Sequence, residues 1–208
     1  MLLIMDPANT TVLSCGILTI SATHHGDMDE SGGIVRDALT AAGHEVSQRR
    51  WIADDLSITR HLFREWVDRA KLDVIIAIGG TGLDATDVTP EALAPLISKP
   101  MPGFGEVFRL LAFQELGIHA LESRACAALC QGTLVYLLPG SAKAVAIAVH
   151  QLIVPQLGTV VWAGRQRLTM APAVHASPEV VQVHRPTPDW IKSTPTRRHR
   201  SPWYGKRN

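Results

Sequence analysis

The segment 74-VIIAIGGTGLDATDVTPEAL-93 decides how the rest of the chain is read. Five apolar residues, Val74 to Ile78, run directly into Gly79, Gly80, Thr81 and Gly82. A short β-rich run closed by glycines reads as a buried strand. Beyond a polar loop come Asp87, Val88, Thr89 and Pro90. Proline near the start of an apolar-periodic stretch fits the first turn of a helix. Strand, glycine turn and helix follow one another, with a carboxylate just past the turn.

Outward from this segment the same alternation repeats. Residues 11–21 form an apolar, β-branched run, and a glycine-rich loop over 24–33 follows it. Ile34, Val35, Ala38, Leu39 and Ala42 have helical spacing, with Gly43 as a C-terminal cap. Residues 44–52 read as a strand, and Asp54 and Asp55 precede a helical pattern over 56–71. The Pro90 helix extends to about residue 97, and Lys99 to Gly103 reads as a break. A helix over 104–116, a short strand within 121–130, a strand over 133–138 and an alanine-rich helix over 142–154 complete the pattern. Strands alternating with helices predict an α/β fold: a mostly parallel central sheet with helices on both faces. The order fades near Gly164, so the division expected is an α/β domain over 1–164 and a Pro/Arg-rich extension over 165–208, partly extended or disordered.

Charge narrows the partners. The 24 residues from Arg185 hold seven Lys or Arg and one acid, which leaves the body with 13 basic and 18 acidic residues. A mildly acidic globule with a basic tail is not a nucleic-acid-binding domain on this ground. Cys15, Cys126 and Cys130 are odd in number, form no CxxC pair and sit in apolar surroundings, as expected of buried thiols in a reducing compartment. No basic segment and long apolar core of a signal peptide opens the sequence, and residues 11–20 are too short to cross a bilayer. The expectation is a soluble, cytoplasmic protein with no membrane partner.

Ligands of open α/β sheets sit where the strands' carboxyl ends meet the following loops. Gly79 to Gly82 occupy such an end, and glycine lets backbone amides approach an anion closely. The alternative is a turn that needs glycine for conformation alone. It is neither a Walker A loop nor GxGxxG. Asp54 and Asp87 each follow a strand, so parallel strands would bring both carboxylates to one rim, where they could share a divalent cation. Either acid could instead cap its helix. Gly140 and Ser141 follow the strand over 133–138, and Ser141 could donate to an anion or simply serve as an N-cap.

Taken in order, Gly79-Gly80-Thr81-Gly82, Asp87-Val88-Thr89-Pro90-Glu91-Ala92, Met101-Pro102-Gly103-Phe104-Gly105-Glu106 with Arg109, Ser123-Arg124-Ala125 and Leu138-Pro139-Gly140-Ser141 closely resemble the MoaB/MogA family of molybdenum-cofactor biosynthesis proteins. Asp29-Glu30-Ser31-Gly32 and Gly43-His44 look like its amino-terminal half. The resemblance covers roughly residues 12–157. It implies a three-layer α/β/α domain that binds molybdopterin and assembles into homotrimers or hexamers. It implies Mg²⁺ and ATP, used to adenylylate the terminal phosphate of molybdopterin with release of pyrophosphate. Carried over by motif, Asp54 and Asp87 would be the catalytic and metal-binding carboxylates. Gly79, Gly80, Thr81, Gly82, Gly140 and Ser141 would line the molybdopterin-phosphate pocket. Glu106 would contact the pterin or orient loops, or else serve its helix N-terminus. Three positions depart from the family pattern: Thr86 stands where Arg is usual before the motif Asp, Ala142 where proline follows Gly-Ser, and Ala53 where proline is common. Thr86 keeps open a non-catalytic molybdopterin carrier or chaperone of the same pathway. The basic tail suggests docking to other cofactor-biosynthesis proteins.

Overall fold

The computed structural model describes residues 11–22 and 28–169. Strand β1 (Ser14–Ile20) leads through α1 (Glu30–Ala41) to β2 (Glu45–Ile52), and α2 (Leu56–Asp68) leads to β3 (Val74–Ile78). Then follow α3 (Thr89–Leu93), β4 (Lys99–Pro100), α4 (Pro102–Leu116), β5 (Cys126–Cys130), β6 (Thr133–Leu138), α5 (Ala142–Ile147) and α6 (Val154–Thr169). The six strands form one sheet in the order β2-β1-β3-β6-β5-β4. β2, β1, β3 and β6 run parallel, whereas β5 is antiparallel to both β6 and β4. The mostly parallel α/β expectation holds, with an antiparallel margin.

The period-two alternation of the strands separates two cores. Ile17, Ile76, Ile78 and Tyr136 face one way and pack with Val35 and Leu39 of α1, Phe104 and Phe108 of α4, and Val145 of α5. Leu18, Ile75, Ala77 and Leu137 face the other way, onto Phe63 and Trp66 of α2 and Leu93 of α3. These are the three layers, and a strand buried on both faces must be apolar throughout: all five residues of β3 are buried.

The segment over 99–103, read as a break, instead contains β4, a two-residue edge strand. Pro100 lies at the sheet margin, where its missing N–H breaks no ladder. Ser98 and Met101 donate their N–H groups to Leu129 and Ala127 at 2.9 and 2.8 Å and hold the segment there.

The helix expected over 142–154 continues without interruption to Thr169. Its turns from Ala148 to Ile153 are π-helical, directly before Pro155, which has no N–H for an ordinary i→i−4 bond. Ala142–Val161 is long and apolar enough to cross a membrane. Its Val145, Val149, Ile153 and Leu157 are instead buried in the core, facing the sheet. Apart from the end of this helix, the 165–208 extension lies outside the described residues.

One core group is out of place by polarity. The Tyr136 ring is fully buried and meets Phe104 edge-on at 4.9 Å, but its hydroxyl finds no hydrogen-bond partner among the described residues. Burial pushes its phenol well above the usual range. Removing an unpaired buried hydroxyl relieves a desolvation cost of about 1 kcal/mol or more. Tyr136→Phe is therefore expected to melt at or above the wild-type temperature; a clear drop would show that the hydroxyl is satisfied.

Candidate functional site

The strand order reverses between β1 and β3: the chain steps from β1 outward to β2, then back across to β3. Such a switch point leaves a crevice at the carboxyl ends of the strands. Thr19 pairs with Ile78, and Ile78 with Leu138, so the three strands end level. A cleft of about 630 Å³ opens there, bounded by Thr19 to Ser21, Met28 to Ser31, Asp54, Ile78 to Gly82, Asp87 and Pro139 to Ala142.

The glycine turn forms its floor. Gly79 has φ +103° and Gly80 φ +61°, both in the left-handed region that disfavours side chains. A Cβ on Gly79 would also overlap the Ile20 carbonyl, and one on Gly80 would overlap Thr89 Oγ1. The turn is pinned from three directions. Gly79 N–H donates to Leu138 O at 2.9 Å, Thr89 Oγ1 donates to Gly79 O at 2.9 Å, and Thr89 N–H donates to Gly80 O at 3.0 Å. Thr89 is fully buried.

Adjacent acids after β2 divide two tasks. Asp55 caps α2, its Oδ1 accepting Ile58 N–H at 2.8 Å. Asp54 is left to line the cleft. Asp87 does not cap α3, whose N-cap is Val88; its Oδ2 accepts Asp84 N–H at 2.9 Å, and its side chain reaches the cleft. Burial, and then the Asp87 charge, raise the Asp54 carboxyl above the usual range. The two carboxylates thus feel one another at the glycine rim. Across the cleft, Ser141 N-caps α5 without a side-chain capping bond, so its hydroxyl is not spent on its own helix.

The opposite wall is built around Asp29. This carboxylate, 4% exposed, accepts Gly32 N–H at 2.8 Å as the cap of α1, Thr19 Oγ1 at 2.8 Å, Trp51 Nε1 at 2.9 Å and Arg49 Nη2 at 3.1 Å. Burial opposes its ionisation, but these four donors outweigh it and hold the carboxyl below its ordinary range. Ser31 Oγ, in the first turn of α1, donates to Gly140 O at 2.8 Å and ties this wall to the β6–α5 loop.

The cleft carries Asp29, Glu30, Asp54 and Asp87, and no Lys or Arg among its described lining residues. No group of three or more His, Cys, Asp or Glu suited to hold a metal occurs among the described residues. Two carboxylates at a glycine turn nonetheless fit Mg²⁺, which takes one or two protein oxygens and leaves its other positions to water and substrate phosphate.

A family profile described as a probable molybdopterin binding domain matches residues 16–159. The chain belongs to the MoaB/MogA family. It is 44% identical over 147 residues to Molybdenum cofactor biosynthesis protein B of Halalkalibacterium halodurans, covering 70% of this chain and 86% of the relative. To the protein of the same name from Escherichia coli K12 it is 40% identical over 141 residues, covering 68% and 83%. A crystal structure of Molybdenum cofactor biosynthesis protein B superposes with a TM-score of 0.72 at 34% identity, covering 76% of this chain and 98% of that one. The tungsten cofactor synthesizing protein MoaB from Pyrococcus furiosus superposes with a TM-score of 0.66 at 28% identity, covering 74% and 98%.

Within this family fold, eight of the nine residues singled out from sequence line one cleft: Asp54, Asp87, Gly79, Gly80, Thr81, Gly82, Gly140 and Ser141. Glu106 does not. It is exposed in the first part of α4 and is not among the lining residues. Thr19, Asp29, Ser31 and Thr89 are not among the residues singled out, although all but Thr19 lie in quoted family motifs. Thr86 is exposed on the loop before Asp87.

The Asp54 carboxyl gives a pH test. A carboxyl raised in the folded state destabilises the fold when ionised, fully so above the folded pKa, and the penalty fades as pH falls through the folded pKa and is gone below the unfolded value near 4. Asp54→Asn is therefore expected to raise the thermal midpoint at pH 7 to 8, with the gain vanishing towards pH 4. A lower midpoint at neutral pH would contradict the like-charge arrangement.

Proposed function

We propose that this protein acts in molybdenum-cofactor biosynthesis, binding molybdopterin and adenylylating its terminal phosphate with Mg²⁺ and ATP. The observation that carries the reading is the sign of the cleft. Its described lining holds four acids and no base, beside a glycine turn open to phosphate. Polyphosphate bound among carboxylates needs a divalent cation between them. The Arg-to-Thr86 departure makes that need stronger, because it removes a side chain that would otherwise neutralise phosphate charge. Mg²⁺, held by Asp54 and Asp87, would supply charge neutralisation at the phosphates.

The chain's own groups do the rest. Gly79 to Gly82 present backbone close to the phosphates, and Ser141 offers a hydroxyl at the start of the long helix formed by α5 and α6. Their rigidity holds the molybdopterin phosphate oxygen in line with the α-phosphorus of ATP. A new P–O bond forms there while the bond to the β-phosphate oxygen breaks, and pyrophosphate leaves. Reactions of this kind depend on positioning and on fixed electrostatics rather than on a protein nucleophile.

Thr86 favours one other reading, a carrier that holds molybdopterin without turning it over. We place the protein in the cytoplasm as a homotrimer or hexamer; exposed Val107, Leu110 and Phe113 of α4 support assembly, since apolar side chains grouped on one helix favour burial. Residues 185–208, considered for docking to other proteins of the pathway, lie outside the described residues.

The deciding assay adds molybdopterin to the protein with ATP and Mg²⁺ and follows pyrophosphate. Pterin-dependent release is expected for the wild type, and no release from a protein that still binds molybdopterin would favour the carrier. Asp87→Asn is expected to reduce release by about 100-fold or more while molybdopterin affinity stays within a few-fold. Normal turnover by that variant would remove Asp87 from the mechanism.

A further inference from the structure

Outside the cleft, one side chain makes an unusual number of contacts to the loop that carries Asp87. Arg124 lies between the 3₁₀ turn Gly117–Glu122 and β5. Its Nε donates to Gly82 O at 2.7 Å and its Nη2 to Asp87 O at 2.6 Å. Its Nη1 pairs with the Glu91 carboxylate in the first turn of α3. Its backbone N–H donates to Thr81 O at 2.9 Å. One residue therefore grips the glycine turn at 81 and 82, the backbone of Asp87 itself, and the helix beyond. The loop between Gly82 and Val88 has no regular secondary structure of its own, and Leu83 to Thr86 are exposed.

Arg124 is itself held by a second arginine. Arg109 of α4 donates from Nη1 to Ser123 O at 3.3 Å and to Ala125 O at 3.1 Å, the carbonyls on either side of Arg124. This needs Gly105, one helical turn earlier. A Cβ there would stand 2.6 Å from Ala125 O and 3.0 Å from Arg109 Nη2. The glycine of the Gly-Phe-Gly-Glu stretch thus clears the space in which Arg109 reaches the strand. Fixed at both flanks, Arg124 projects its planar fork onto the loop, a geometry an ammonium cannot reproduce because the three donor positions diverge in one plane.

We propose that Arg124, braced by Arg109, is the positioning residue of the Asp87 carboxylate, holding it at the glycine rim beside Asp54 so that the pair can share a divalent cation. Arg124 does not line the cleft and acts through the backbone of Asp87. The proposal deepens the metal-site reading given above and rests on it for its metal and kinetic readouts, though not for its exchange readout.

Arg124→Met and Arg124→Lys in the full-length chain provide the test, with Mn²⁺ as probe in the presence of a non-hydrolysable ATP analogue. Removal of an outer partner of a metal ligand typically weakens metal binding by about 10- to 100-fold. Arg124→Met is expected to show that loss by Mn²⁺ electron paramagnetic resonance, and Arg124→Lys to recover only part of it. Amide exchange over 82–88 is expected to speed up by about tenfold or more, while the amides of β1 and β6 stay as in the wild type. In turnover, kcat falls and the KM for molybdopterin holds. Mn²⁺ affinity within twofold of wild type in Arg124→Met would overturn the proposal. So would full recovery by lysine, or loosening spread evenly over the sheet. A wild type that binds Mn²⁺ but releases no pyrophosphate defeats the adenylylation reading alone. If the wild type binds no Mn²⁺, the metal-sharing proposal fails with it, and the exchange pattern then reports only whether the loop is clamped.

Discussion

Everything at the site depends on two residues whose backbone turns the wrong way for a side chain. Gly79 and Gly80 take positive φ at the end of the most buried strand, where the first lies against the Ile20 carbonyl and the second against Thr89. A side chain at either place would push the turn off the ends of β1 and β6. Because Thr19, Ile78 and Leu138 lie in register, that displacement would part the three strand ends that frame the cleft. The apolar sheet is thus the rigid platform, and the turn converts its edge into a cleft floor of backbone rather than side chains.

A platform of this kind leaves the acids to be placed by local rules. After β2, Asp55 takes the capping role and so releases its neighbour, Asp54. After β3, Asp87 folds back onto Asp84 N–H and is gripped from behind by Arg124. The outcome is two carboxylates on one rim, where burial first and the repulsion of the Asp87 charge second raise the Asp54 carboxyl. Folding alone gains nothing from that repulsion. Under the proposed metal-binding reading it is stored affinity for a cation, an exchange of stability for function. Asp29 shows the contrast: an aspartate more deeply buried, it is saturated by four donors and serves architecture.

How much of this could be read in advance follows from how local each cause is. The run from Val74 into the glycines announces itself because burial on both faces demands an unbroken apolar strand. The eight cleft residues converge because parallel strands must place their carboxyl ends on one rim. Only the family motif separates Asp54 from Asp55 in the sequence, since both precede the helix and backbone geometry alone selects the cap. β4 escaped notice because two residues ending in proline carry no periodicity; partners 28 or more positions away make it a strand. Arg124 is the clearest case. Its side-chain contacts reach back 33 to 42 positions along the sequence, and no spacing rule links a residue before one strand to the loop after another. Glu106, a member of a quoted motif, is left exposed on α4, outside the cleft lining.

The central claim, that Asp54 and Asp87 together hold a divalent cation over the glycine turn, is tested most directly by anomalous scattering from crystals grown with Mn²⁺ and a non-hydrolysable ATP analogue. The account predicts one strong peak bridging the two carboxylates, with phosphate oxygens completing its shell against Gly79 to Gly82. A nucleotide whose phosphates lie elsewhere, or a Mn²⁺ peak that leaves both carboxylates unligated, would contradict it.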